Sequence, residues 1–175
     1  MNVINNSSTL FCVKCAHPGL FKHGEKAYKC KVCGFVYFHN VAAAVCAVIV
    51  CNKQMLLVER AQQPAKGKLD FPGGFVDYHE TNEQALKREL LEELQLPIDN
   101  MQYLFSYPNG YLYKGVEYAT LDSFFEIRLD TQPDLVLQEE EVSRCFWLDV
   151  TSVDTKKLAF PSGQSALAEY LRKNS

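Results

Sequence analysis

The spacing of apolar positions changes along this chain, and each change marks an element. Residues 41–51 are almost all apolar and rich in valine and alanine, Asn52-Lys53 interrupts them, and an apolar run resumes over residues 55–59. That pattern predicts a strand buried on both faces, a tight turn and a second strand. Further strands are predicted at 101–106, 111–113, 118–127 and 144–148, with Pro108-Asn109-Gly110 as a turn between two of them. Two helices stand out. One covers about residues 82–95, opened by a Thr81/Gln84 capping-box pattern, and the other about 163–173 behind Ser162 as candidate N-cap. Strands and helices that do not simply alternate predict an α+β fold built on a mixed sheet.

Composition narrows the class. With 175 residues, 47% hydrophobic and 22% charged, the chain reads as an ordinary globular protein and not as a disordered or collagen-like one. The longest apolar run, residues 41–51, falls short of the ~20 residues of a membrane-spanning helix. No positively charged, apolar leader opens the sequence, so a cytoplasmic location is expected. Charge is uneven. Residues 1–40 carry five lysines against Glu25, giving plus 4, while residues 41–175 carry minus 7. Two modules are expected, with the boundary after Asn40.

The first module contains Cys12, Cys15, Cys30 and Cys33, two C-x-x-C pairs separated by 14 residues. In a reducing compartment this spacing predicts a structural Zn²⁺ site closed by four thiolates. Gly34 follows the second pair and lets the backbone turn its amides toward sulfur. Four thiolates around one dication leave minus 2, and Lys14, Lys22, Lys26, Lys29 and Lys31 offset it, which accounts for the basic bias without nucleic acid. Redox C-x-x-C motifs are the competing reading, without a βαβ pattern around either pair to support it. The module is expected to resemble a zinc ribbon that draws most of its folding energy from the metal.

Chemistry concentrates on the first helix of the second module. At 100° per residue, Glu89, Glu92 and Glu93 share one arc of about 100°, beside a stripe formed by Leu86, Leu90, Leu94 and Leu91. Like charges at Glu89 and Glu93, spaced i,i+4, destabilise an isolated helix, and carboxylates crowded beside a core raise one another's pKa unless a cation sits among them. Lys87 and Arg88 are placed elsewhere on the helix. Hard oxygen ligands suit Mg²⁺ or Mn²⁺. Just upstream, Leu69-Asp70-Phe71-Pro72-Gly73-Gly74-Phe75 reads as a strand end entering a glycine turn where backbone can approach a ligand closely.

Gly74, five residues, Glu80, seven residues and then Arg88-Glu89-Leu90-Leu91-Glu92-Glu93-Leu94-Gln95-Leu96 resembles the Nudix box of nucleoside diphosphate hydrolases. A Nudix domain behind a four-cysteine ribbon resembles the NADH pyrophosphatase branch. The resemblance implies an α/β/α sandwich of mixed sheet between helices. It also implies Glu89, Glu92 and Glu93 as ligands of catalytic Mg²⁺ or Mn²⁺, with the Gly73 carbonyl and Glu141 as further ligands. Glu89 or a later loop glutamate would help activate water, Arg88 would orient a box glutamate and Glu80 would brace the loop. Because carboxylates alone would repel a diphosphate, the divalent ion is expected to be obligatory.

Two departures from the family pattern are visible. Gln95 stands where the box has glycine, at a position suited to a left-handed helix end, with strain of ~1 kcal/mol or more expected. Pro97 offers a second stop. The branch's Ser-Gln-Pro-Trp-Pro-Phe-Pro-like motif is replaced by Ser106-Tyr107-Pro108-Asn109-Gly110-Tyr111-Leu112-Tyr113, without the tryptophan. Phe75, Gly73, Gly74 and Tyr107 are the expected substrate-binding residues, and aromatics here could stack on a base or nicotinamide. The expected activity is metal-dependent pyrophosphohydrolysis of a small-molecule nucleotide such as NADH or ADP-ribose. The competing readings are a non-catalytic ligand-sensing domain and a ribbon that binds RNA. Membrane and nucleic-acid partners are not expected, and a homodimer is left open.

Overall fold

The computed structural model describes residues 10–174, so the opening residues, over which the expectation about a leader was made, lie outside the described residues. The chain divides into two compact units, one up to Val41 and one from Ala42 onward. In the first unit, β1 (Leu20–Lys22), β2 (Ala27–Cys30) and β3 (Val36–Phe38) form an antiparallel sheet in the order 1-2-3. Its buried apolar side chains among the described residues are Cys12, Ala27 and Cys30. Such a core is too small to hold three short strands, and the cysteines must supply the difference.

The second unit contains β4 (Ala42–Cys51), β5 (Gln54–Arg60), β6 (Leu69–Asp70), β7 (Gly73–Phe75) and α1 (Asn82–Leu94). It continues with β8 (Gln102–Tyr113), β9 (Val116–Arg128), β10 (Val142–Asp149) and α2 (Pro161–Lys173). The sheet runs β10-β5-β4-β9-β8, with β4 and β9 parallel and the other pairs antiparallel. Alternation along β4 builds two cores. Val45, Ala47 and Ile49 pack with Leu86, Leu90 and Leu94 of α1. Val48 packs on the opposite face with Ala166, Leu167 and Tyr170 of α2. A central strand covered on both sides has no polar face, which is why residues 41–51 read as a continuous apolar run. The α/β/α sandwich is therefore as expected.

One feature of the sheet positions the chemistry. β4 and β5 pair only at Val50–Met55 and Cys51–Gln54, beside the Asn52-Lys53 turn, where both residues have positive φ. Beyond that point β6 pairs with β5 and β7 with β4, so the Asp70–Gly73 link is seated between the two strands. The Pro72 carbonyl accepts from the Ala47 amide at 2.8 Å, and β7 brings the two glycines against α1.

Several local expectations are corrected. Pro108-Asn109-Gly110 is not a turn: β8 runs unbroken from Gln102 to Tyr113, and the chain reverses at Lys114-Gly115, both at positive φ. β8 is an edge strand, where the N–H that proline lacks can be spared. Ser162 is not the N-cap of α2. Phe160 holds that position, Pro161 occupies the first turn, and Ser162 is buried with its hydroxyl committed elsewhere. Leu91, expected in the core stripe, is 47% exposed. Gln95 does take the left-handed conformation its position demands, with φ 53°, and its amide caps the Leu90 and Leu91 carbonyls.

Candidate active site

Arg88 organises the acidic face of α1. Its Nε and Nη2 bind the two oxygens of Glu80 at 2.8 and 3.0 Å, and Nη1 binds Glu89 at 2.9 Å and Glu92 at 3.0 Å. Nη2 also donates to the Phe75 carbonyl at 3.0 Å, so every N–H of the guanidinium has an acceptor. Helical angle alone sets Arg88 apart from the carboxylates and is corrected here, whereas the orienting role that the resemblance implied is consistent with these bonds. The Arg88 fork crosses back over the first turn to Glu80 and ties loop, strand and helix together. The pairing with Arg88 draws the Glu80 carboxyl below its ordinary range. Glu80 also accepts from the Asp77 amide at 3.1 Å, closing the loop that feeds the helix. The capping box is formed as read, with Gln84 N–H donating to Thr81 Oγ1 at 3.2 Å and Thr81 N–H to Gln84 Oε1 at 2.8 Å.

The two deeper carboxylates are placed by the glycines. Gly73, at φ 139°, donates its N–H to Glu93 Oε2 at 3.0 Å, and a side chain there would collide with the Val45 carbonyl. A Cβ on Gly74 would lie 2.5 Å from Glu89 Oε1. Gly73 therefore requires glycine for its backbone conformation and close approach, whereas a side chain at Gly74 would displace the Glu89 carboxylate. Burial pushes the Glu93 carboxyl up to about 8, despite the Gly73 amide, and nearby Glu89, Glu141 and Asp70 add to the rise. Burial also raises Glu89, outweighing Arg88 beside it.

These groups line one cleft of about 300 Å³, together with Arg60, Phe75, Tyr111 and Glu141. Of the run Glu139-Glu140-Glu141, only Glu141 lines it. Glu92, expected as a third metal ligand, does not line it and has a side chain 54% exposed. Among the described residues, Glu89 Oε2 and Glu93 Oε1 have no hydrogen-bond donor. Free anionic oxygens on buried carboxylates fit a hard divalent cation. They are not gathered into a ready-made cage: among the described residues, the four cysteines are the one group of three or more candidate ligands with donor atoms within 4.8 Å. That spacing suits Mg²⁺, which takes one or two carboxylates and fills its shell with water and substrate oxygens.

In the first unit, Cys12 and Cys33 Sγ are 3.7 Å apart, as are Cys15 and Cys30 Sγ. A tetrahedron with Zn–S of ~2.3 Å has edges of ~3.8 Å, whereas a disulfide requires ~2.05 Å. The four cysteines therefore fit a zinc site. The Cys33 and Val32 amides aim at Cys30 sulfur and pull its thiol down to about 6. Gly34, at φ 70°, makes the turn that allows this.

A NUDIX domain model matches residues 39–170. The chain belongs to the NUDIX family. Similar proteins include the NAD-capped RNA hydrolase NudC of Chromobacterium violaceum, 28% identical over 147 residues, covering 82% of this chain and 51% of that protein. NudC of Stutzerimonas stutzeri is 28% identical over 166 residues, covering 92% and 54%. This Nudix chain spans about half the length of the curated relatives it matches. Among solved structures, the NUDIX domain of Shewanella oneidensis NrtR complexed with ADP ribose superposes with TM-score 0.65 at 22% identity, covering 79% of this chain and 91% of that one. A NUDIX hydrolase from Nitrosomonas europaea gives 0.64 at 23%, covering 93% and 90%. At these identities the structures establish the fold.

Within the Nudix unit the aromatic assignments shift. Phe75 lines the cleft and meets Tyr111 edge-on at 5.4 Å, and Tyr111 meets Phe160 at 5.7 Å. Tyr107 instead packs on Phe105 and Phe124 in the α2-side core and lines no part of the cleft. Along a strand, residues two apart share a face only while the strand is regular, and the pattern of 101–113 did not reveal the register shift between Tyr103 and Phe105. His79 is exposed at φ 70° and lies outside the cleft lining. Sequence reasoning missed Arg60. Its guanidinium binds Asp70 at 3.0 Å and lies over the Phe160 ring, and it lines the same cleft. No local motif marks it, because its partners come from β6 and the start of α2.

Proposed function

We propose that this chain is a divalent-metal-dependent pyrophosphohydrolase that cleaves the diphosphate of a nucleoside diphosphate linked to another moiety. Dinucleotides such as NADH or ADP-ribose are the substrate class. The observation that carries the reading is the pair of buried glutamates, Glu89 held by Arg88 beside Gly74 and Glu93 held by the Gly73 amide, each with an oxygen free on one cleft. A protein does not bury two carboxylates side by side for stability, since desolvation and mutual repulsion both oppose it. The NudC relatives support the class of reaction, and the ADP-ribose complex of the NrtR domain supports the class of ligand.

Glu89, Glu93 and Glu141 would hold Mg²⁺ or Mn²⁺, with Glu92 and the Gly73 carbonyl at the margin. The ion, when bound, would neutralise the diphosphate and acidify a water. The chain's own residues supply the rest. Arg88 fixes the Glu89 carboxylate so that one oxygen stays free, and the Gly73 amide does the same for Glu93. Glu141, tethered through its carbonyl to the Ala61 amide at 2.8 Å, brings a further carboxylate to the same cleft. Phe75 and Tyr111 offer ring surface to a base or nicotinamide. Residues 1–40 serve as a zinc ribbon held by Cys12, Cys15, Cys30 and Cys33, and residues 41–175 as the hydrolase. The ribbon's lysines lie close in sequence to cysteines whose four thiolates around one dication would leave minus 2, so its charge needs no nucleic-acid partner.

The test is turnover of NADH, ADP-ribose and related dinucleotides with Mg²⁺ or Mn²⁺, repeated with Glu93→Gln. Hydrolysis of at least one, lost by two or more orders of magnitude in the variant, is expected. No turnover of any member, or turnover indifferent to the substitution, refutes the proposal.

A further inference from the structure

β8 ends the large sheet, and no strand among the described residues pairs with its outer side. Its twelve residues, Gln102 to Tyr113, include no charged side chain, whereas β10 at the opposite edge carries Arg144 and Asp149. A row of unpaired N–H and C=O groups is a template for another strand, and native proteins blunt it with lysine, with very short strands or with bulges. On β8 the register shift lies between Tyr103 and Phe105, so the strand is regular from there to its turn.

That turn fixes which backbone groups face outward. Lys114 and Gly115, both at positive φ, form a two-residue hairpin loop between Tyr113 and Val116. The pair flanking such a loop exchanges hydrogen bonds, and bonded pairs then alternate with unbonded ones along the antiparallel ladder. Asn109, Tyr111 and Tyr113 therefore bond to β9, while Ser106, Pro108, Gly110 and Leu112 turn their N–H and C=O groups away from it. Proline has no outward N–H to leave unpaired, and Gly110, without a Cβ, lets a second backbone come close. The side chains of these outward residues share one face, where Leu112 is 58% exposed and Leu121, the β9 partner of Pro108, is 44% exposed.

We infer that β8 is the interface of a homodimer, in which two copies pair their β8 strands antiparallel about a two-fold axis at Gly110. An edge without charge suits an occupant without charge, and a second β8 supplies one, with the self-complementary contact that a two-fold axis requires. In this register Gly110 exchanges both of its hydrogen bonds with the partner's Gly110, and each Leu112 N–H donates to the opposite Pro108 carbonyl. Leu112 also gains the opposite proline ring as an apolar neighbour. One group opposes the pairing. A Cβ on Gly110 would lie 2.9 Å from Glu117 Oε1, so this carboxylate sits over the strand at the axis and meets its own copy there. The inference is independent of the proposed catalytic activity.

The experiment needs neither substrate nor turnover. Sedimentation equilibrium of the full chain measures the dimer, and amide hydrogen exchange by NMR, at concentrations on either side of its midpoint, locates the contact. The Gly110 and Leu112 amides are expected to exchange about tenfold more slowly in the dimer, while Asn109 and Tyr111, bonded to β9 in both states, change little. Leu112→Lys is expected to weaken association by about tenfold or more, and Glu117→Gln to strengthen it, so the two variants move in opposite directions. A chain that stays monomeric at millimolar concentration overturns the inference. Protection of Gly110 and Leu112 that ignores concentration also overturns it, because the chain would then cover its own edge. So does a dimer indifferent to both substitutions, whose contact would lie elsewhere.

Discussion

Replacing Glu93 with glutamine should make the metal-free protein more stable while destroying its activity. Glu93 is buried and carries a carboxyl pushed up to about 8 from an ordinary 4.5, chiefly by burial. A folded pKa above the unfolded one means that the native state holds a proton the unfolded chain has released. Stability is then fully present below about pH 4.5 and is lost as pH rises toward 8. At pH 7 the loss is about two and a half units at 1.36 kcal/mol each, so on the order of 2–3 kcal/mol once side-chain relaxation is allowed. Glutamine keeps the acceptor for the Gly73 amide and removes the titration. For a domain of this size the gain corresponds to roughly 5–10 °C in Tm. The assay is thermal unfolding from pH 4.5 to 8 after free divalent ions are removed on a chelating resin, a treatment too mild to strip an ion held by four thiolates. The gain should grow with pH, and Mg²⁺ should raise the Tm of the wild type but not of the variant. A variant that melts at or below wild type at pH 8, or a gain that ignores pH, would refute the account of why this carboxylate is there.

Three other outcomes follow from the geometry. Arg88→Lys keeps the charge but not the fork that serves Glu80, Glu89, Glu92 and the Phe75 carbonyl, and kcat should fall by about two orders of magnitude with KM changing less, as steady-state kinetics would show. Gly74→Ala places a methyl 2.5 Å from Glu89 Oε1, so activity and Mg²⁺ affinity, measured by titration calorimetry, should drop more than thermal stability does. Cys30→Ser opens the four-sulfur site, and hydrogen exchange should show β1, β2 and β3 losing protection, together with less than one zinc per chain by atomic absorption.

Much of the candidate site was legible because its residues lie close together in the chain. Glu80, Arg88, Glu89 and Glu93 fall on one loop and one helix, where a period of 3.6 residues and a capping box settle who faces whom. Helical angle alone set Arg88 apart from the carboxylates, since it locates Cβ and not the end of a long side chain that turns back to Glu80, while the box resemblance pointed to its pairing with a glutamate. Along β8 the local signals misled: Pro108-Asn109-Gly110 has the composition of a turn, but an edge strand tolerates it. Ser162 looked like a cap because its neighbours suit one, yet a buried carboxylate 40 positions earlier claims its hydroxyl.

The division between the two levels is physical. Local chemistry, acting over a few residues, determined the two-sided strand β4, the acidic edge of α1 and the four-thiolate spacing of the ribbon. Burial and partners that arrive from distant strands are properties of the packed sheet, and only the packed sheet decided them. The opening between β4 and β5 admits the glycine segment, drives Glu93 out of water and brings Arg60, Asn109 and Asp122 around one pair of pockets. No window of sequence contains those neighbours together, because they meet only when the sheet closes.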